Sequence, residues 1–184
     1  IEVLVVNNGS TDDSESFVKK NFPEFKLVDI KKNMGFAGAN NYAIARARGK
    51  YVVMLNNDTR VTPNFLNHLV ETMEKDKSIG AIQPQIRSLI DESLLDSAIS
   101  YLTTTGFMYH FGYMKPWKRK MYEKPLFGYS IKGACMMMLR ADYTRLGGLD
   151  EDFVCYVEES DLCHRVWLSG KKVLYSPESI IYHY

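Results

Sequence analysis

Tyr51-Val-Val-Met-Leu55 is an apolar run that ends directly in Asn56-Asn57-Asp58. A short apolar run bounded by polar residues is typical of a buried strand. In open α/β sheets, ligands bind at the carboxyl ends of the strands, which is where Asp58 would lie. Carboxylate and amide oxygens are hard ligands for a divalent cation that also holds phosphate groups. The run therefore predicts an α/β sheet with a site for a phosphate-bearing substrate at this strand end.

Predicted strands and helices alternate along the chain, which favours a doubly wound, mostly parallel sheet with helices on both faces. Asp12 and Glu15 resemble a capping box that opens the first helix, and Gly49 is expected to close the second helix at its C′ position. Thr62 and Pro63 are a typical N-cap and first-turn pair for the third. The predicted strands are 1–6, 25–30, 51–55, 79–86 and 131–139, with others near Val173 and Ile181, and the predicted helices are about 12–21, 38–48, 62–75 and 160–169, with a short one near Asp142.

The composition indicates a single globular domain, because 46% of the 184 residues are hydrophobic and 24% are charged. Lys plus Arg total 23 and Asp plus Glu total 22, so no field of one sign would attract DNA, and we expect no nucleic-acid partner. The longest apolar runs fall short of the roughly 20 residues that span a bilayer. We therefore expect no membrane anchor within this sequence.

The cysteines and the first residues predict where the protein works and how much of it is present. Cys135, Cys155 and Cys163 are odd in number and lack metal-site spacing, so we expect reduced core cysteines in a cytoplasmic protein and no zinc. The sequence opens directly on a strand, so we expect a first strand and helix to be missing from this chain. We expect any peripheral association with the inner face of the cell membrane to come from missing segments.

Four segments with distinctive polar residues follow one another along the chain. They are Val5-Val-Asn-Asn-Gly-Ser-Thr-Asp12, Asn33-Met-Gly-Phe-Ala-Gly-Ala-Asn-Asn41, Met54-Leu-Asn-Asn-Asp58, and Gly147-Gly-Leu-Asp-Glu-Asp-Phe153 followed by Val157-Glu-Glu-Ser-Asp-Leu-Cys163. In this order they resemble the rhamnosyltransferase-like branch of the family-2 glycosyltransferases, inverting enzymes of GT-A fold. The resemblance covers nearly the whole chain and implies a GT-A-like (Rossmann-like) domain. It also implies transfer of a sugar from a dTDP- or UDP-sugar to an acceptor hydroxyl.

The resemblance divides the domain into a nucleotide-sugar-binding half, 1–86, a variable loop region, 87–129, and an acceptor or catalytic half, 130–184. Hydrophobic periodicity fails between Arg87 and Gly128, which predicts a mobile loop. The acceptor would be a saccharide or a lipid-linked saccharide, in bacterial cell-surface polysaccharide synthesis.

The resemblance implies that the first two segments hold the nucleotide-sugar. Free N–H groups at a helix N-terminus favour phosphates, and Gly35 and Gly38 allow close backbone approach. Asn7 stands where family members usually carry a base-reading aspartate, so the base preference stays open. An ordinary glycine-rich turn is the alternative for these segments. The candidates are Asn7, Asn8, Ser10, Asp12, Asn33, Gly35, Gly38, Asn40, Asn41, Asn56 and Asn57, with Gly133 at the floor of the acceptor site.

The resemblance also implies a metal site and a catalytic base. Asp58 is the predicted ligand of Mg²⁺ or Mn²⁺, with Asn56 replacing the first carboxylate of the family's motif, and the metal would stabilise the leaving diphosphate. His183 falls where related enzymes place a histidine near the diphosphate or metal. A turn-capping role for Asp58 and a core role for His183 stay open.

Glu158, Glu159 and Asp161 form an acidic cluster just before an amphipathic helix. An inverting transfer needs a carboxylate to take the proton of the acceptor hydroxyl. The family's Glu-Asp pair aligns with Glu158-Glu159, so we expect the base at Glu159. Asp161 is the alternative base, or a charge that stabilises the helix dipole, and a solvated helix start is the alternative for the whole cluster.

Two other function classes stay open. A sugar-phosphate nucleotidyltransferase would carry a glycine-rich loop with Arg or Lys after its first strand, and that strand is expected to be missing here. A non-catalytic nucleotide-sugar-binding domain is favoured by the amides at Asn7 and Asn56. The carboxylates of Asp58, Glu159 and Asp161 oppose it.

Overall fold

A computed structural model describes residues 1–153 and 156–184, so Cys155 lies outside the described residues. Strands and helices alternate through much of the chain, as predicted. The strands are β1 Leu4–Asn8, β2 Lys26–Ile30, β3 Tyr51–Leu55, β4 Thr59–Val61, β5 Ile79–Ser88, β6 Leu95–Ser97, β7 Ile99–Leu102, β8 Met108–Phe111, β9 Leu126–Phe127, β10 Cys135–Leu139 and β11 Lys172–His183. The helices are α1 Ser14–Asn21, α2 Gly35–Ile44, α3 Phe65–Lys75, α4 Arg140–Arg145 and α5 Glu158–Leu168, with a 3₁₀ turn at Lys120–Tyr122.

The larger sheet is mixed, so the prediction of a mostly parallel sheet is wrong. β5 and β11 run parallel, but β10 runs antiparallel between β3 and β5. β4, β6 and β9 are also antiparallel to their neighbours, and β1 pairs with β2 in a separate parallel sheet. A strand that is buried on both faces reads as a continuous apolar run whichever way it points. The sequence of β10 therefore carries no signal of its direction.

Helices cover both faces of the larger sheet, as predicted. Met136 and Met138 of β10 pack on one face with Leu162 of α5, whereas Met137 packs on the other face with Leu69 of α3. This alternation follows from the two-residue period of a strand. Cys135 and Cys163 are buried free thiols, as predicted. No helix in the described ranges is both long and apolar enough to cross a bilayer.

Two predicted helix starts are wrong for local reasons. Asp12 does not cap α1, because its carboxylate accepts a hydrogen bond from the Ser14 amide at 3.1 Å and holds a turn ahead of the helix. Thr62 donates its hydroxyl to the Ile180 carbonyl at 2.7 Å, and α3 begins after Asn64, whose φ is 65°. Both side chains make hydrogen bonds that compete with capping.

The second helix differs most from its prediction. α2 begins at Gly35 and ends at Ile44, so Gly49 is not its C′ residue. The Asn33 side chain accepts a hydrogen bond from the Gly35 amide at 2.8 Å, which fixes the start of the helix. The early start brings the N-terminus of α2 to the carboxyl ends of β1 and β2.

The segment predicted as a mobile loop, Arg87 to Gly128, is instead folded. It contains the β7–β8 hairpin and three further short elements around a core that includes Leu95, Ile99, Tyr122 and Tyr175. The guanidinium group of Arg87 lies 3.7 Å from the ring centroid of Trp117 and packs that loop against the sheet. Very short strands show too few residues for a period, which explains the missed structure.

Candidate active site

The structure brings the predicted metal motif and the predicted base to the two sides of one short segment. The backbone N–H of Asn56, just after β3, donates to the backbone carbonyl of Ala134 at 3.0 Å. A Cβ atom at the preceding residue, Gly133, would lie 3.8 Å from both Cγ and Oε2 of Glu159. The segment 133–134 therefore lies between the strand end that carries Asp58 and the first turn of α5.

Asp58 and His183 lie side by side because β4 pairs with the end of β11. Thr59 is opposite His183 in the register of these strands, and the Tyr184 amide donates to the Asp58 carbonyl at 3.1 Å. The His183 Nε2 atom is 3.4 Å from Asp58 Oδ1, and the Asp58 side chain is 49% exposed. An oriented carboxylate thus faces both an imidazole nitrogen and solvent.

Asp96 is a third member of this cluster that the sequence reasoning missed. Its Oδ2 atom is 2.8 Å from Nδ1 of His183, and the Lys132 ammonium group lies 2.6 and 2.7 Å from its two oxygens. Burial raises the pKa of Asp96, but the hydrogen bonds from His183 and Lys132 outweigh it and hold the pKa below its usual value. The sequence signal that could have identified Asp96 is its position as the one carboxylate in the mainly apolar stretch 94–99.

The donor set of this cluster fits a divalent cation that prefers oxygen ligands. The Asp58 carboxylate is a suitable ligand for Mn²⁺ or Mg²⁺, whereas the His183 imidazole nitrogen suits a transition-metal ion such as Mn²⁺ better than Mg²⁺. Within 1–153 and 156–184, no three His, Cys, Asp or Glu side chains are arranged to hold a metal ion. Asn56 is half-buried, and its backbone carbonyl accepts a hydrogen bond from the Thr59 hydroxyl at 2.6 Å. Asn57 is exposed. Substrate phosphates and water would complete the coordination of a metal here.

Glu159 has the environment expected of a general base. Burial raises the pKa of this carboxyl group, and the neighbouring charge of Glu158 raises it further. Its Oε1 atom accepts a hydrogen bond from the Ser160 hydroxyl at 3.0 Å, and Ser160 lies 2.8 Å from the Ser130 hydroxyl. A raised pKa makes a carboxylate a better proton acceptor.

The other two acidic residues are placed differently. The Asp161 Oδ2 atom accepts hydrogen bonds from Nε and Nη2 of Arg165, at 2.9 and 2.5 Å. This ion pair favours the helix-charge interpretation of Asp161 over the catalytic one. Glu158 is only 6% exposed, and its Oε2 atom has no hydrogen-bond partner among the described residues.

At the ends of β1 and β2, Asn7 is paired with a carboxylate that the sequence reasoning also missed. The side-chain Nδ2 of Asn7 donates to Asp29 Oδ1 at 2.9 Å, and the side-chain Oδ1 of Asn7 accepts from the backbone amide of Ser10 at 2.9 Å. The two side chains meet because Asn7 and Asp29 are partners in the parallel register. A hydrogen bond from Lys31 is the main cause that lowers the pKa of Asp29. A negative charge therefore stands beside the amide at position 7.

Asn8 and Asn33 join the two predicted nucleotide-binding loops to each other. The Asn8 amide donates to Asn33 Oδ1 and to the Gly35 carbonyl, both at 3.1 Å, and its oxygen accepts from the Met34 amide at 2.9 Å. The loops approach so closely that a Cβ atom at Gly9, whose φ is +75°, would lie 2.8 Å from the Asn33 nitrogen. These side chains shape the loops.

Asn41 uses every hydrogen-bonding group of its amide within the protein. Its nitrogen donates to the Leu149 carbonyl at 2.8 Å and to Glu151 Oε1 at 2.9 Å. Its oxygen accepts from the Tyr143 hydroxyl at 2.5 Å and from the Leu149 amide at 3.0 Å. An asparagine amide has no further group to offer. The structure therefore assigns Asn41 to the joint between α2 and the turn after α4, in contrast to its predicted ligand-binding role.

Three remaining candidates are also accounted for by local structure. Asn40 donates to the Phe36 carbonyl one helical turn back, at 2.9 Å. Gly38 is buried, and a Cβ atom there would lie 3.0 Å from the Cβ of Met34, so this glycine permits close packing within α2. Asp12 is exposed at the turn before α1.

Comparison with known sequences identifies the family. The sequence profile of "Glycosyl transferase family 2" matches residues 1–147. The N-acetylglucosaminyl-diphospho-decaprenol L-rhamnosyltransferase of Mycobacterium tuberculosis (strain CDC 1551 / Oshkosh) is 25% identical over 207 residues, which cover 100% of this chain and 66% of that protein. The O-antigen biosynthesis protein RfbC of Myxococcus xanthus is 26% identical, over 100% of this chain and 15% of its own length. The chain thus spans only part of each relative.

Solved structures share the fold. The structure of GalNAc-T7 with UDP, GalNAc and Mn²⁺ has a TM-score of 0.79 and 18% identity, over 99% of this chain and 37% of that one. The mannosyltransferase PcManGT from Pyrobaculum calidifontis, in complex with GDP-Man and Mn²⁺, has a TM-score of 0.69 and 21% identity, over 99% of this chain and 47% of that one. The predicted GT-A-like fold and the predicted family are both confirmed, and the chain belongs to glycosyl transferase family 2.

Proposed function

We propose that this protein is an inverting glycosyltransferase that moves a sugar from a dTDP- or UDP-sugar to an acceptor hydroxyl, in bacterial cell-surface polysaccharide synthesis. One observation carries the proposal. A carboxylate of raised pKa, Glu159, lies on one side of the segment 133–134, and the metal-compatible pair of Asp58 and His183 follows the strand end on its other side. Family membership supports sugar transfer and argues against the nucleotidyltransferase alternative.

The donor would bind across the carboxyl ends of β1, β2 and β3. Asn7 and Asp29 together offer an amide and a carboxylate to the polar edge of the base. The backbone of the loops held by Asn8 and Asn33 would follow the rest of the nucleotide-sugar. Asp58 and His183 would hold Mg²⁺ or Mn²⁺, which supplies Lewis-acid stabilisation of the diphosphate.

Glu159 would perform the proton transfer. As the acceptor oxygen forms its bond to the anomeric carbon, the Glu159 carboxylate takes the hydroxyl proton, and the bonding electrons on the opposite side leave with the diphosphate. The hydrogen bond from Ser160 orients the Glu159 carboxylate. Burial, together with the nearby charge of Glu158, keeps the proton affinity of Glu159 high.

The saccharide or lipid-linked saccharide acceptor would enter from the side of α5. A cleft of about 270 Å³ lies there, between the β7–β8 hairpin and the start of α5. Tyr129, Ser160, Asp161 and His164 line it beside the apolar side chains of Leu102 and Met108. This mixture of polar and apolar groups suits a sugar, whose ring has both kinds of surface.

Replacement of Glu159 by Gln tests the proposal. We expect the variant to bind dTDP, UDP or GDP with wild-type affinity in calorimetry with Mn²⁺, and to lose sugar transfer from the matching nucleotide-sugar. Asp161→Asn changes the alternative base, two residues away in the wall of the same cleft, and should retain most of the activity. Equal transfer by Glu159→Gln and wild type would contradict the assignment of the base.

A non-catalytic nucleotide-sugar-binding domain is the second candidate, favoured by the amides of Asn7 and Asn56 in places where the family usually has carboxylates. This candidate predicts nucleotide binding by wild type and by Glu159→Gln alike, with no turnover of donor by either. Release of the nucleoside diphosphate from dTDP-rhamnose, UDP-N-acetylglucosamine or GDP-mannose separates the two functions.

A further inference from the structure

We propose that Asp96 is a positioning residue that holds the ring of His183 with Nε2 toward Asp58 and thereby sets the affinity of the site for a divalent cation. The inference rests on the proposed function, because it concerns the same metal site. Asp96 belongs to β6, in a segment for which the sequence predicted neither regular structure nor a role in the site.

The geometry gives the two nitrogens of His183 different tasks. Nδ1 is 2.8 Å from Asp96 Oδ2, and Nε2 is 3.4 Å from Asp58 Oδ1. An ionised carboxylate can only accept hydrogen bonds, so the bond to Asp96 places a proton on Nδ1. A neutral ring then directs the lone pair of Nε2 toward the oxygen of Asp58. Two such acceptors facing each other are stabilised by a cation that both can bind.

Asp96 is itself held too firmly to act as a ligand. Lys132 contacts both of its oxygens, at 2.6 and 2.7 Å, and the Asp96 side chain is only 12% exposed. The backbone amide of Lys132 donates to Gln83 Oε1 at 2.7 Å, which fixes this part of the chain against β5. A carboxylate that is fixed in this way acts through the histidine, in the manner of the outer-shell carboxylates of metal sites.

Electron paramagnetic resonance of free Mn²⁺, with dTDP, UDP or GDP present, tests the inference. We expect Asp96→Ala to weaken the affinity for Mn²⁺ about 10- to 100-fold, and Asp96→Asn, which keeps an acceptor oxygen, to weaken it less. His183→Ala should weaken it at least as much as Asp96→Ala. Because Asp96 acts through His183, the double variant should bind no more weakly than His183→Ala.

Asp142→Ala is the matched control for loss of a buried, ion-paired aspartate. Asp142 is 8% exposed and pairs with Lys171 and Arg145, but it lies in α4, beyond the opposite end of β10. We expect this variant to lower the midpoint of thermal unfolding without any change in Mn²⁺ affinity. Equal Mn²⁺ affinity in wild type and Asp96→Ala, or an additive loss in the double variant, would overturn the inference and leave the proposed function standing.

A second readout needs no metal. Nitrogen NMR of the metal-free protein, with the His183 signal assigned by its loss in His183→Ala, should show a protonated Nδ1 and an unprotonated Nε2 at a pH where the ring is neutral. Asp96→Ala should shift this population toward the other tautomer. An unchanged tautomer in Asp96→Ala would overturn the inference. If the wild-type protein shows this tautomer but binds no Mn²⁺ in the presence of dTDP, UDP or GDP, both the inference and the proposed function are overturned.

Discussion

The acidic side and the amide side of the candidate site use their polar atoms in opposite ways. The Asp58 side chain is 49% exposed beside His183. Asn41, in α2, has both donors and both acceptors bonded to the protein, and Asn8 ties one loop to the next. Asp58 therefore keeps atoms available for a ligand, whereas the side chains of Asn8 and Asn41 hold the backbone around the candidate site. We therefore divide these residues into a proposed reactive group and an architectural group.

The largest effect on activity is expected from a comparison of two carboxylates on the acidic side, Glu159 and Asp161. Glu159→Gln removes the proposed base, so we expect sugar transfer to fall about 10²- to 10⁴-fold. Asp161→Asn weakens the helix ion pair with Arg165 and removes a charge from the wall of the proposed acceptor cleft, and its transfer rate should stay within a few-fold of wild type. A larger loss in Asp161→Asn than in Glu159→Gln, measured as kcat/KM, would reverse the two roles.

The next effect tests the architectural group. Asn41→Ala removes the donor to the Leu149 carbonyl and the acceptor of the Tyr143 hydroxyl proton, and it leaves the Leu149 amide with only its 3.3 Å bond to the Tyr143 hydroxyl. We therefore expect a loss of about 1–3 kcal/mol in the free energy of unfolding. Asn40→Ala loses one bond to a carbonyl in its own helix and should cost less. Urea unfolding of the two variants measures the difference. Equal stability of Asn41→Ala and wild type would show that the joint is not important to the fold.

A pH dependence of stability is expected from Glu159. Burial raises the pKa of this group in the folded state above its unfolded value of about 4.3. Between these two pKa values the folded state binds more protons than the unfolded state, so the contribution of Glu159 to stability falls as pH rises. Relative to wild type, Glu159→Gln should therefore become more stable from pH 4 to pH 7. Urea unfolding at several pH values measures this trend, and a constant difference would contradict it.

The same titration should appear in the activity. The carboxylate is the proton acceptor, so kcat/KM should increase as pH rises through the raised pKa of Glu159. Asp161→Asn should keep this profile. A profile with no such rise between pH 4 and pH 7 would indicate that a different group takes the proton.

The smallest effect concerns Gly133. An added Cβ atom would lie 3.8 Å from Glu159, an ordinary contact, so Gly133→Ala should fold with the stability of wild type. The methyl group would occupy space in front of the base, and we expect a higher KM for the acceptor with unchanged donor affinity. An increase in donor KM alone would place the acceptor elsewhere.

Local patterns predicted the single elements of this fold better than their arrangement. Tyr51–Leu55 is a strand with the bounds that its apolar run indicates, because polar residues end the run on both sides. The direction of β10 and the partners of Asn41 depend on residues far away in the chain, and Leu149 is 108 positions from Asn41. No local pattern records such distant pairings.

A role in the candidate site could be predicted where a single motif position suggests the chemistry. Motif positions predicted Asp58, Glu159 and His183, and the structure brings Asp58 and His183 together. Asp96 was missed because its partner, His183, is 87 positions away and its segment shows no period. Asp29 was missed because its position beside Asn7 follows from the register of β1 and β2. Both contacts become visible only when strand pairing is known.

The most direct test of the account is calorimetric titration of the protein with UDP, dTDP and GDP, each with and without Mn²⁺, repeated on Asp58→Ala. The account predicts that at least one diphosphate binds wild type only when Mn²⁺ is present, and that Asp58→Ala loses this binding while keeping the fold. Binding that is equally strong without Mn²⁺, or that survives in Asp58→Ala, would contradict the central claim that Asp58 holds a metal for a nucleotide-diphosphate donor.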